Sequence, residues 1–83
     1  MYTMRLSSCG NPDHGQFPPV SNPETVRGAT LKEMAAHCAR YIEDWNLGGG
    51  NWVDPIVKLD GKKVGRFSYN GRLWASERLE VVL

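Results

Sequence analysis

Long hydrophobic runs are missing from this 83-residue chain, and no stretch approaches the length needed to cross a bilayer. The opening residues Met1-Tyr2-Thr3-Met4-Arg5-Leu6 lack both the apolar block and the small-residue cleavage site of a secretory signal. A cytoplasmic protein without a membrane partner is therefore expected. Charge of one sign is equally scarce: ten Lys and Arg face nine Asp and Glu, a formal +1, so no global field draws the chain to nucleic acid or to an anionic membrane. Any such affinity must come from a local patch. Cysteine is limited to Cys9 and Cys38, enough for one bridge and far short of a disulfide framework, so reduced thiols are expected. A chain this short supports one domain and one core, with little room for an enclosed active site and its supporting shell. Binding without catalysis, and without a cofactor, is the expectation.

What the chain does have is a triple glycine, Gly48-Gly49-Gly50, where an amphipathic segment runs out, followed by Asn51-Trp52 and echoed at Asn70-Gly71-Arg72-Leu73-Trp74. Consecutive glycines lose much backbone entropy on folding, so they mark a place where the backbone turns or touches something closely. A phosphate loop would run from a strand into a helix N-terminus and end in Lys. This one follows a helix C-terminus, whose dipole repels anions. The glycines read as a hinge over residues 48 to 51, with Gly48 closing the helix in a left-handed conformation.

Tyr2, Met4 and Leu6 alternate with Thr3, Arg5 and Ser7, predicting a strand over residues 2 to 8. Residues 9 to 21 are crowded with turn formers and carry Pro18-Pro19, so they form a long loop, a common kind of binding segment. Residues 24 to 28 predict a short strand paired with the first. Thr30 and Glu33 then make a capping box, and Leu31, Met34, Cys38, Tyr41, Ile42 and Trp45, widened by Ala35 and Ala39, give the core stripe of a helix over residues 31 to 46. Asp60-Gly61 and Asn70-Gly71 are strong hairpin signals, so residues 52 to 75 predict a three-stranded meander. At Asp60-Gly61 a two-residue turn sets Val57 opposite Val64, whereas a three-residue turn sets Ile56 there and Asp54 opposite Arg66. At Asn70-Gly71 a two-residue turn pairs Tyr69 with Arg72 and Phe67 with Trp74. Residues 76 to 83 are open to helix, edge strand or fraying. The fold class is α+β: a β-loop-β-α-β-β-β order, with one antiparallel sheet and one helix across a face. Trp45 and at least one of Trp52 and Trp74 are expected between helix and meander.

Cys9, His14, His37 and Cys38 are zinc-type ligands, but His37 and Cys38 are adjacent on a helix and point about 100° apart, so at most three of the four serve one ion. No metal is expected. If one binds, Cys9, His14 and Cys38 are the candidates, with His37 as a substitute. No thiolate is set beside a base for nucleophilic catalysis. Lys58, Lys62, Lys63, Arg66, Arg72 and Arg78 make residues 51 to 83 the more basic part, and Lys62, Lys63, Arg66 and Arg72 with Trp52, Phe67, Tyr69 and Trp74 nearby suggest either nucleic-acid contact or a protein interface; core burial is the plainer role for the aromatics. Phe17, Lys62, Lys63, Arg66, Tyr69 and Arg72 are the candidate partner-binding residues. An uncovered sheet face or free edge leaves a homodimer open as well.

Cys9-Gly10-Asn11-Pro12-Asp13-His14-Gly15-Gln16, Leu47-Gly48-Gly49-Gly50-Asn51-Trp52 and Ser68-Tyr69-Asn70-Gly71-Arg72-Leu73-Trp74 resemble segments of small bacterial proteins carried on phages and mobile elements. The resemblance spans nearly the whole chain and implies a genomic context rather than a reaction. Size and architecture also resemble those of anti-defence proteins, including anti-CRISPR inhibitors, which cover a functional surface of a nuclease complex. The near-neutral charge argues against mimicry of DNA and for steric occlusion of a host defence complex in the bacterial cytoplasm.

Overall fold

A computed structural model describes residues 1–83. Its strands are β1 (Tyr2–Leu6), β2 (Glu24–Gly28), β3 (Ile56–Leu59), β4 (Lys62–Phe67), β5 (Leu73–Ser76) and β6 (Leu79–Val81), with one helix, α1 (Leu31–Trp45), between β2 and β3. All six strands join one sheet in the order β2-β1-β3-β4-β5-β6, and every pairing is antiparallel. The fold is α+β, with α1 against one face of the sheet. The meander has four strands rather than three, because residues 79 to 81 of the tail form the edge strand β6. The first strand ends at Leu6, and Ser8 continues it only as an isolated bridge to Trp52.

The core follows from alternation. Met4 and Leu6 of β1, Val26 of β2, Val57 of β3, Phe67 of β4 and Leu73 of β5 all point toward Met34, Cys38 and Tyr41 of α1, and Leu47 and Trp52 complete the cluster. Thr30 caps the helix, its hydroxyl accepting from the Glu33 amide at 3.1 Å, while the Glu33 carboxylate accepts from the Ala29 amide at 3.0 Å. At the other end the left-handed residue is Asn46, with φ 52°, and not Gly48, whose φ is −91°. Leu47 N–H donates to Ile42 C=O at 2.9 Å and Asn46 N–H to Glu43 C=O at 3.2 Å, the pair of bonds of a Schellman ending. Asn tolerates this conformation, which frees the glycines for another task. Trp45 is left at the exposed end of the stripe, beside Tyr41 at a ring separation of 6.3 Å, so of the tryptophans only Trp52 is buried between helix and meander.

Two irregularities set which side chains face the helix. Asp60 and Gly61 both have positive φ, 50° and 88°, as a primed two-residue turn requires, and Lys62 and Lys63 pair with Leu59 and Lys58. The next pair is Val57 with Gly65, which leaves Val64 as an extra residue on β4. Neither simple register therefore holds along the whole hairpin. Without this bulge, strict alternation would turn Arg66 toward the helix and Phe67 to solvent. At the next turn Phe67 pairs with Leu73 and Arg66 with Trp74, and Gly71 carries the positive φ of 83°. Tyr69-Asn70-Gly71 is thus a three-residue turn, not the two-residue turn that Asn-Gly suggests. The one-residue difference breaks the expected Phe67–Trp74 pair, burying Leu73 and sending Trp74 to the opposite face.

Candidate functional site

Residues 9 to 21 do not swing free. Asn51 holds them: its side-chain amide donates to Cys9 C=O at 3.0 Å and to Gln16 Oε1 at 3.1 Å, and Cys9 N–H donates to Asn51 C=O at 2.9 Å. Gly50 serves this contact. Gly49–Asn51 is a short 3-10 turn, and a Cβ on Gly50 would lie 2.3 Å from the Asn11 amide nitrogen. The loop's base is fixed to the helix as well, since Ser21 Oγ lies 2.6 Å from both Ser8 Oγ and the Tyr41 hydroxyl, which donates to Asn22 C=O. Every buried side-chain nitrogen and oxygen has a partner.

The candidate residues separate in space. Phe17 stands 81% exposed on this loop. Tyr69 and Arg72 belong to the β4–β5 turn, where the Tyr69 hydroxyl donates to Leu47 C=O at 3.0 Å. Lys62 shares its side of the sheet with Leu59, near the hairpin tip. Lys63 and Arg66 lie on the face of the sheet turned away from α1. Phe67 is fully buried on the helix side, in the core role that is the plainer one for it. Cys9, His14, His37 and Cys38 do not assemble either: no three His, Cys, Asp or Glu side chains are placed to hold a metal ion. Both thiols are free. His37 Nε2 meets Arg27 C=O at 3.1 Å, and Cys38 sits in the core, where burial first, and the charge of Asp54 second, push its pKa up to about 12.

The face away from α1 carries a feature spread too widely along the chain to stand out in its sequence. Pairing aligns Arg27, Thr3, Lys58 and Lys63 as one row across β2, β1, β3 and β4. Neighbouring strands lie about 4.8 Å apart, so this row sets Lys58 and Lys63 directly opposite each other. Like charges in that position repel. Arg5, paired with Thr25, lies on the same face one step along. None of Arg5, Arg27, Lys58 and Lys63 makes an ion pair. Two carboxylates share this face: Asp54 lines the same groove as Arg5 and Lys58 but is bound to Arg66 at 2.6 Å, and Glu80 lies opposite Trp74 on the edge strand. On the helix, by contrast, Arg40 is held by both Glu24 and Asp44 at 3.1 Å, and the Glu24 hydrogen bond raises its pKa further.

Beside these cations lies a groove of about 400 Å³, lined by Val53, Pro55 and Ile56 together with Thr3, Thr25, Arg5, Lys58 and the Arg66-bound Asp54. Val53 and Ile56 are each 40% exposed. Alternation in each strand was the signal that could have found Arg5, Arg27 and Lys58. No protein-family model matches the chain, and neither a curated protein nor a solved structure matches it. No helix is long and apolar enough to cross a membrane.

Proposed function

We propose that this chain is a non-catalytic protein-binding domain that works by covering a functional surface of its partner, with the open face of the sheet as the contact. The observation that carries this reading is the pairing of exposed Val53 and Ile56 with four cations that have no partner within the molecule. An apolar centre within a polar surround is the usual anatomy of a protein interface. The likeness of three segments to phage-borne proteins supports a host defence complex, such as a CRISPR nuclease, as the class of partner, and steric occlusion as the mode of action. Lys63 and Arg66 belong to the contact. Phe17, Tyr69, Arg72 and Lys62 lie at its margins or beyond.

Plaque counts test this reading. The chain is expressed in hosts carrying single, defined defence systems, and phage plating is compared with that on vector controls. At least one defended host is expected to plate phage more efficiently with the chain present; plating equal to the vector in every host would overturn the inhibitor reading.

A further inference from the structure

The open face also indicates the chemistry of what it binds. We infer that its occupant is an acidic amphipathic protein segment, one that seats an apolar side chain against Ile56 and lays carboxylates over Arg5, Arg27, Lys58 and Lys63. This rests on the reading of the domain as a protein binder and adds the nature of the partner surface.

Charge complementarity is the first support. On a chain of formal charge +1, four cations without ion pairs share one part of one face, and the one carboxylate lining the groove, Asp54, is already neutralised by Arg66. Lys58 and Lys63 oppose each other across β3 and β4, an arrangement unfavourable to the isolated fold and favourable once an anion bridges it. The second support is the apolar centre of the groove, which separates a protein partner from a nucleic acid. Val53, Pro55 and Ile56 offer a phosphate backbone nothing. The only aromatic on this face, Trp74, is half-buried with its indole N–H donating to Ser68 Oγ at 3.2 Å, so the successive exposed rings on which single strands stack are missing.

Fluorescence anisotropy tests the inference with three labelled probes: a short helical peptide bearing a Leu stripe flanked by Glu, the same peptide with Gln for Glu, and a thymidine oligonucleotide. The Glu peptide is expected to bind the full chain, more weakly as salt rises, and the Gln peptide to bind at least about tenfold more weakly. Lys58→Glu should weaken the Glu peptide by about tenfold or more while melting at the same or a higher temperature than the wild type. Ile56→Ser should weaken it severalfold with its salt dependence unchanged. Tighter binding of the oligonucleotide, no binding of the Glu peptide, or equal binding by Lys58→Glu would each overturn the inference. The plaque test separates the two proposals: if plating rises with wild type and Lys58→Glu alike, the inhibitor reading stands and the acidic partner falls. If the Glu peptide binds as expected and plating never rises, the reverse holds.

Discussion

The two faces of the sheet are made by the same strands, yet they satisfy their side chains by different means. Toward α1, Leu6, Val57, Phe67 and Leu73 are almost wholly buried, and Tyr41 is tied to Ser21 and Asn22. Every buried polar side-chain atom on that side finds a partner within the molecule. On the other side Arg66 is paired with Asp54, while Arg5, Arg27, Lys58 and Lys63 go unpaired around a half-exposed apolar groove. The helix face thus accounts for stability. The open face adds little to it and tolerates an internal repulsion, which is how a surface shaped for something outside the fold behaves.

Several substitutions would sharpen or break this contrast. The largest effect belongs to Phe67→Ala, which empties a fully buried site and should cost about 3–5 kcal/mol, whereas Ile56→Ala on the open face should change stability by no more than about 0.5 kcal/mol. Urea denaturation of both variants measures the difference; equal costs would mean that the faces are not distinct. Next comes Tyr41→Phe, which removes the hydroxyl joining the helix to the loop's far end at Ser21 and Asn22 and, through Ser21, to Ser8. A cost of about 1–3 kcal/mol is expected, together with faster hydrogen exchange at the Val20 amide, which donates to Ser8 Oγ.

Cys38 gives a chemical version of the same test. Its pKa rises from 9.0 to about 12 in the folded chain, chiefly by burial and secondarily through Asp54, so the native thiol keeps a proton that the unfolded chain releases. This contribution to stability is complete below pH 9 and is lost as pH climbs toward 12. Cys38→Ala should flatten that alkaline decline. Native iodoacetamide labelling should modify exposed Cys9 and spare Cys38. The smallest effect is Lys58→Glu, which replaces a cross-strand repulsion with an attraction and should stabilise the fold by about 0.2–1 kcal/mol while removing part of the open-face charge. A destabilised Lys58→Glu would mean that Lys58 serves the fold rather than a partner.

Much of the architecture was legible in the chain. Alternation in Tyr2-Thr3-Met4-Arg5-Leu6, the Thr30 and Glu33 capping box and the spacing of Met34, Cys38 and Tyr41 are local signals, and β1, β2 and α1 follow them closely. The site was legible only in part. Lys63 and Arg66 were within view because they sit together on one strand. Arg5, Arg27 and Lys58 come from three strands far apart in the chain, and nothing local says that β1 inserts between β2 and β3. The triple glycine points to a helix cap at Gly48, but Asn46 makes that turn, and Gly50 instead admits Asn11 and a loop that begins some forty residues earlier.

By itself, then, the sequence determined the kinds of element and their order through β5, and the α+β class, because periodicity, capping and turn chemistry act over a few residues. Tertiary structure decided which way those elements face. The bulge at Val64 and the three-residue turn ending at Gly71 each shift a strand by one residue, and with a side-chain period of two, each shift exchanges inside for outside. Phe67 and Leu73 became core, and Arg66 and Trp74 became surface. Four cations scattered along a nearly neutral chain became one unpaired patch only when long-range strand pairing set their strands side by side.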